Sequence, residues 1–246
     1  MLVRLLQWNV WYLEELDRIA RQVEELSPDI LCLQELCTNS SVNPGVSTGH
    51  ELAARLGLRS FIQTAQTWTG WNKDSQENGI LSRFPLERTA SVFIREPGAR
   101  ESRDFSQEGR VYLEADLNID GHKLTVGTTH LSYSHGFKRT EARSAEYARL
   151  LSLLKARKGF VFTGDLNSPP DSEIVQELST RYVNCGPRFS ACTWTTKPFE
   201  CSGFVETGLN WRLDYVFASS DIKVVSSRIV ETQVSDHLPI LTELEL

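Results

Sequence analysis

Apolar and polar positions along this chain follow two rhythms. Short apolar or β-branched runs that stop at turn residues predict strands at Leu2 to Val10, Ile30 to Leu33, Arg59 to Thr67, Gly79 to Phe84, Leu86 to Ile94, Gly109 to Asn118 and Lys123 to Thr129. The same pattern returns at Phe160 to Phe162, Trp211 to Ala218, Ile222 to Val230 and Leu238 to Leu244, with a short β-type island at Thr193-Trp194-Thr195. Helical spacing places Leu13, Leu16, Ile19, Ala20, Val23 and Leu26 on one face, and Ser27-Pro28-Asp29 closes that helix. A second helix is expected from His50 to Leu56 with Gly57 as its stop, and a short one from Asp171 to Leu178. Thr140 is the expected N-cap of a helix reaching about Lys155, with Ala145, Ala148, Leu151 and Leu154 facing inward and the basic residues facing water.

Strand, helix, strand at the start of the chain implies a parallel pair with a right-handed crossover, so Asn9 and Glu35 should leave one edge of one sheet together. Ile119-Asp120-Gly121-His122 carries a hairpin turn signal. Trp68 to Asn78 reads as a polar loop whose two tryptophans anchor into the core rim or stack on a ligand. Between Arg95 and Glu108, the residues Arg95, Arg100, Arg103 and Arg110 are matched by Glu96, Glu101, Asp104 and Glu108, the pattern of a solvated loop. The expected class is α/β (α+β): a four-layer sandwich of two packed mixed β-sheets flanked by helices, with residues 1–246 as a single catalytic domain.

Polar side chains cluster where these strands stop. Phe160-Val161-Phe162-Thr163-Gly164 leads into Asp165-Leu166-Asn167, and Pro169 and Pro170 then forbid a longer ladder. If the extended backbone persists through Leu166, Asp165 and Asn167 share one face. A turn-capping Asp followed by a turn-tolerant Asn is the alternative. Asn9, Glu35 and His130 also stand at strand ends, Asp214 lies in an alternating strand, and Asp236-His237 precedes the last one. So many acids and imidazoles meeting in one mouth would be costly without a cation among them.

With 40% hydrophobic and 24% charged residues the composition is that of a globular protein with a sizeable core. The net charge of −6 repels polyanions in bulk, so nucleic-acid contact would need a local patch or bound cations. Five cysteines without zinc-site spacing read as reduced thiols. The first ten residues, Met1 to Val10, are too quickly polar for a signal peptide or membrane span. A cytoplasmic monomer with no stable membrane insertion is the expectation.

Trp8-Asn9-Val10, Leu33-Gln34-Glu35, Ile80-Leu81-Ser82-Arg83, Thr129-His130-Leu131, Gly164-Asp165-Leu166-Asn167, Arg212-Leu213-Asp214-Tyr215 and Ser235-Asp236-His237-Leu238-Pro239 occur in this order. Together they resemble the endonuclease/exonuclease/phosphatase superfamily of metal-dependent phosphoesterases. The resemblance implies Mg²⁺ or Mn²⁺ at Glu35 and Asp236 with Asn9 in support, and Asp165 orienting or deprotonating the attacking water. It implies that Asn167 holds the phosphate or that water, that His237 contacts a phosphate oxygen with Asp214 fixing its tautomer, and that His130 donates to another oxygen or assists the leaving group. Gln107-Glu108-Gly109-Arg110-Val111 and Trp211 resemble the abasic-endonuclease branch, but Trp11 and His130 depart from it. His130 instead resembles deoxyribonuclease, tyrosyl-DNA phosphodiesterase and sphingomyelinase members. Trp194 resembles a substrate-side tryptophan of several branches, though a core role fits it as well. The implied partner is a phosphodiester, leaning to nucleic acid. A phosphatase or sphingomyelinase-like enzyme, and a non-catalytic binding protein of the same fold, are the rival readings.

Overall fold

Strands that read as continuous apolar runs are those buried on both faces. In the computed structural model, which describes residues 1–101 and 107–246, they form the middle of two sheets. The chain runs β1 (Leu2–Asn9), α1 (Leu16–Leu26), β2 (Ile30–Leu36), α2 (Thr48–Leu56), β3 (Arg59–Thr67), β4 (Ser75–Ser82), β5 (Leu86–Arg95), β6 (Arg110–Ile119) and β7 (His122–His130). It continues through α3 (Glu141–Leu153), β8 (Phe160–Asp165), α4 (Glu173–Arg181), β9 (Val183–Asn184), β10 (Phe199–Cys201), β11 (Phe204–Glu206), β12 (Asp214–Ala218), β13 (Lys223–Ile229) and β14 (Ile240–Glu245).

Among the described residues, one six-stranded sheet has the order β13-β14-β1-β2-β4-β3 and the other the order β5-β6-β7-β8-β12-β9, with β10 and β11 as a separate hairpin. Parallel pairs β1/β2 and β7/β8 lie inside otherwise antiparallel sheets, so both are mixed. The period of two in side-chain direction then builds the layers. Leu5, Ile30, Cys32 and Ile80 of the first sheet meet Val111, Val126, Val161 and Val216 of the second. Their neighbours Leu6, Leu31 and Leu33 point the other way, onto Leu16, Ile19 and Val23 of α1 and Leu52 of α2. Phe160, Phe162, Tyr215 and Phe217 likewise face Tyr147 and Leu150 of α3 and Ile174 and Leu178 of α4. Each such buried side chain contributes about 1.5–3 kcal/mol of apolar transfer free energy. The four layers of the expected sandwich are thus present. Among the described residues no helix is long and apolar enough to cross a membrane.

The structure differs from the sequence reading in four places. Ser75 to Asn78 belongs to β4 rather than to the preceding loop, because its polar side chains are bonded inside: Ser75 Oγ donates to Glu77 Oε1 at 3.0 Å and Asn78 Nδ2 to the Val111 carbonyl at 3.1 Å. The charged loop is sorted rather than solvated at its end, where Glu108 and Arg110 are buried as an ion pair at 2.8 Å. Arg103 and Asp104 lie outside the described residues. The hairpin β10–β11, polar at its turn and aromatic on one side, was not foreseen.

Helix α3 is the largest correction. Thr140 caps it as expected, accepting from the Arg143 amide at 3.2 Å, but Ala145 and Ala148 face solvent and Arg143, Glu146, Tyr147 and Leu150 face inward. The buried charges hold two loops. Arg143 donates to the carbonyls of Ser132 and Leu166, the latter at 3.0 Å, while Glu146 accepts from the Ser132 hydroxyl at 2.6 Å and its amide at 3.1 Å. Arg143→Met should therefore cost about 2–4 kcal/mol in urea denaturation, because buried acceptors lose a charged donor. Ala148→Lys should stay within about 0.5 kcal/mol. Equal effects of the two substitutions would refute this orientation of the helix.

Candidate active site

Parallel pairing carries the ends of β1 and β2 to one rim, with Asn9 opposite Gln34, and the ends of β7 and β8 to another, with His130 opposite Asp165. Strand β12 runs antiparallel to β8 and begins with Asp214 opposite Asp165. Strand β14 runs antiparallel to β1, so the segment before it must arrive at the end of β1. There Ser235 Oγ donates to the Asn9 carbonyl at 2.7 Å and Trp8 Nε1 to the His237 carbonyl at 3.0 Å, which fixes Asp236 and His237 on the rim. Topology alone thus gathers residues spread from position 9 to position 237.

Two local departures from extended backbone aim the side chains. A register shift between Leu33 and Leu36, with Glu35 at φ 59°, turns Glu35 out of the strand's alternation. Extended geometry stops at Asp165: its Oδ1 accepts the Asn167 amide at 2.9 Å and Asn167 sits at φ 47°. Asn167 therefore reaches the rim through a turn and not along a strand, while Leu166 enters the core as expected. Gly164 allows the close approach of β8 to β7, since a Cβ there would lie 2.5 Å from the Thr129 carbonyl oxygen.

The resulting contacts form a line. Asn9 Nδ2 donates to Asp165 Oδ2 at 3.0 Å and lies 3.1 Å from Glu35 Oε1, holding the two acids on either side of one amide. Asp214 Oδ2 lies 2.8 Å from His237 Nδ1, and His237 Nε2 faces Asp165 Oδ2 at 3.6 Å. His130 Nε2 faces the same oxygen at 3.4 Å and Asn167 Nδ2 at 3.1 Å. Asp236 accepts from Trp194 Nε1 at 3.1 Å.

Above this line opens a cleft of about 410 Å³. Glu35, His130, Asp165, Asn167, Asp236 and His237 line it, while Asn9 and Asp214 lie fully buried beneath. Tyr133, Phe137, Trp194 and Phe199 give it an aromatic wall, and Trp11 and Tyr12 line it as well. Trp211 is not on that wall. It packs behind Phe137 with ring centroids 4.6 Å apart and donates from Nε1 to Glu206 at 2.8 Å. Lys73, Gln76, Glu108 and Arg110 also line the cleft; sequence reasoning noted Glu108 and Arg110 as loop charges and as part of a stretch resembling the abasic-endonuclease branch, and passed over Lys73 and Gln76. Lys73, between Trp71 and the acidic Asp74, carried a faint signal as a lone cation among aromatics; Gln76 carried none.

Burial sets the electrostatics. It pushes Asp165 up to about 7, with Asp214 adding to the rise against His237, and Asp236 up to about 6, with Glu35 adding. For His237 burial works the other way, but Asp214, Asp165 and Asp236 outweigh it and hold the imidazole well above its ordinary value. His130, buried beside Arg110, His237, Lys73 and Arg143, is held well below its own and stays neutral.

The sequence pattern of the Endonuclease/Exonuclease/phosphatase family matches residues 6–237. The chain belongs to that family. Members of the family generally use a divalent metal ion and are hydrolases of phosphoester bonds, and this chain is a phosphoric ester hydrolase. Among solved structures it is similar to the endonuclease/exonuclease/phosphatase from Beutenbergia cavernae, with TM-score 0.76 and 21% identity over 100% of this chain and 72% of that one. It is similar to TDP2 from D. rerio, complexed with single strand DNA product, with TM-score 0.70 and 18% identity over 100% and 99% of the two chains. It is also similar to the mannosyl-6-phosphatase from Bacteroides thetaiotaomicron, with TM-score 0.69 and 14% identity over 99% and 100%. These likenesses show the fold. No curated protein matches the sequence.

Two acidic groups could hold the family's metal. Asp165, Asp214 and His237 offer ligand atoms within 4.8 Å of one another, but Asp214 takes Nδ1 of the imidazole at 2.8 Å, and Nε2 faces Asp165 at 3.6 Å as an ion pair. Glu35 and Asp236 fit better: both line the cleft, both are hard oxygen donors, and Glu35 adds to the rise that burial imposes on Asp236. A cation held by both would relieve that repulsion.

Among the shifted rim groups, His130 gives up its proton on folding below pH 6.5 and so opposes the other three, which outnumber it: Asp165 and Asp236 take up protons on folding above pH 3.8, and His237 does so above pH 6.5. The contribution of those three to stability is complete at low pH and lost as pH rises through the raised values. Chelator-treated protein should therefore be less stable to urea at about pH 8 than at about pH 5. A midpoint that rises between those conditions would contradict the assignment.

Proposed function

We propose that the chain is a Mg²⁺- or Mn²⁺-dependent phosphodiesterase that cleaves P–O bonds by attack of water, with nucleic acid as the favoured substrate class. The observation that carries this reading is the cleft itself, whose floor holds the Asp214–His237–Asp165 line and the Glu35/Asp236 pair and whose wall is aromatic. Glu35 and Asp236, with Asn9 supporting Glu35, would hold a divalent cation, which would supply positive charge to the phosphate.

The chain's own groups do the rest. Asp165, held by the Asn9 amide, orients a water and takes its proton. Asn167 and the protonated His237 donate to phosphate oxygens, and Asp214 keeps the His237 ring in place from below. His130 donates to a further oxygen or to the leaving group. Trp194 holds Asp236 through its indole N–H and offers an edge of the aromatic wall, on which a base can stack. Trp211 acts on substrate, if at all, through Phe137. The 246 residues work as one catalytic domain, as a cytoplasmic monomer.

The net charge of −6 and the likeness to a mannosyl-6-phosphatase favour a second reading, a phosphatase or lipid-type phosphodiesterase on a small or lipid substrate. One panel separates them: turnover of diester and monoester reporters, single-stranded, duplex and abasic DNA, RNA, sphingomyelin and sugar or inositol phosphates, with Mg²⁺ and with chelator. Diester cleavage confined to nucleic acids is expected. Asp165→Asn should lower kcat roughly a thousandfold while keeping the fold. Monoester-only turnover would replace the first reading by the second. Metal binding without turnover of any substrate would point to a non-catalytic binding protein.

A further inference from the structure

One buried cation of the cleft has no part in the mechanism above. Lys73 is 1% exposed, and its ammonium is met by ring faces: Nζ lies 3.5 Å from the Tyr12 centroid, 4.9 Å from Trp68 and 5.6 Å from Trp71. Its hydrogen-bond acceptor is Gln76 Oε1. An ammonium has hydrogens and no lone pair, so it draws the amide oxygen of Gln76 toward itself and turns the amide nitrogen away. On that far side, 3.3 Å from Gln76 Nε2, lies His130 Nδ1.

An N–H facing Nδ1 needs a lone pair there. In a neutral imidazole one nitrogen accepts and the other carries the hydrogen, so Nε2 must carry it. Nε2 then points to an acceptor, Asp165 Oδ2, at 3.4 Å. Asn167 presses for the opposite arrangement. Its Nδ2 already donates to the Leu131 carbonyl at 2.9 Å, which fixes its orientation, and the same nitrogen stands 3.1 Å from His130 Nε2. The ring thus sits between two amides that each present an N–H, and while the ammonium keeps the Gln76 oxygen turned away, a hydrogen on Nε2 has an acceptor in Asp165 and a hydrogen on Nδ1 would meet the Gln76 N–H.

We propose that Lys73, acting through Gln76, holds His130 in the Nε2–H tautomer and so makes it a hydrogen-bond donor toward the reacting phosphate. Lys73 is a positioning residue, caged by aromatics so that its charge is spent on one amide. The tautomer follows from the geometry alone; its use in the reaction rests on the phosphodiesterase reading.

The test is long-range ¹H–¹⁵N correlation of histidine-labelled full-length protein, with His130 assigned by loss of its signals in His130→Gln. Wild type should show a bare Nδ1 and a protonated Nε2. In Lys73→Met the Gln76 amide is free to turn, and the proton should move to Nδ1 in whole or in large part. Lys73→Arg, which keeps a donor for Gln76 Oε1, should retain the wild-type pattern. The methionine thioether suits an aromatic cage, so the variant should melt as wild type does. Should it fail to fold, Gln76→Met removes the deciding amide and should give the same shift to Nδ1. With the diester that wild type cleaves, Lys73→Met should lower kcat by about tenfold or more with KM within about twofold, and Lys73→Arg should restore it. A wild-type His130 protonated at Nδ1, or a Lys73→Met spectrum identical to wild type, overturns the relay. A shifted tautomer with unchanged kcat overturns its role in the reaction. Absence of turnover in wild type counts against the phosphodiesterase reading, and the spectra still decide the relay.

Discussion

Asp165 lies under the rim of the sandwich with no exposure to solvent, within reach of Asn9, His130 and His237, and the other features of the rim answer to the cost of keeping it there. A carboxylate in that position must be neutralised, paired or hydrogen-bonded. The site uses all three routes. Burial lifts its pKa to about 7, His237 stands opposite, and the Asn9 side chain and Asn167 amide donate to it. Asp214 then stabilises the charge on His237, and a cation between Glu35 and Asp236 would relieve the remaining acid pair.

The same logic explains the polar seam beneath the rim. Where the two sheets approach the site, the apolar core gives way to Gln7, Gln34, Thr128 and Thr163, each bonded to the next: Gln34 Nε2 to Gln7 Oε1 at 3.2 Å within one sheet, Gln34 Nε2 to Thr128 Oγ1 at 2.9 Å across the gap, and Thr163 Oγ1 to Thr128 Oγ1 at 3.0 Å within the other sheet. Gln7 reaches up to Asp214 at 3.4 Å. Such a network is costly when half satisfied and rigid when complete. Behind β7 and β8, Arg143 and Glu146 of α3 pin the loops that follow His130 and Asp165. Placement of the reacting groups therefore rests on helices and strands, with the loops held from behind.

The aromatic wall is also built from packing. Phe137, Trp194 and Leu213 form a small core of their own, closed by Tyr133, Phe199, Phe204 and Trp211. The hairpin β10–β11 supplies two of those rings and carries Glu200 and Cys201 to the cleft mouth. The floor is polar and acidic while this wall is apolar, so the cleft suits a substrate with one charged and one flat or apolar part.

Much of this could be seen in the order of residues. Apolar runs with a period of two or near 3.6 located almost all the long elements, because burial imposes those periods wherever a face meets a core. Asn9, Glu35, His130, Asp165 and Asp214 stood out because each interrupts or ends such a run. Other features had no such mark. The inner face of α3 was misjudged because Arg143 and Glu146 are buried for their hydrogen bonds, and hydrophobic spacing cannot register a buried charge whose partners are distant carbonyls. The run of apolar residues left Asn167 open between an extended strand and a turn capped by Asp165, and tertiary structure decided for the turn. The Lys73–Gln76–His130 contact joins two residues three positions apart to a histidine 54 positions beyond Gln76, and depends on which end of one amide meets an ammonium. Local pattern determines what a strand buries and where it stops; which strand ends share a rim, and which donors face which acceptors across it, is decided only when the sheets pair and close.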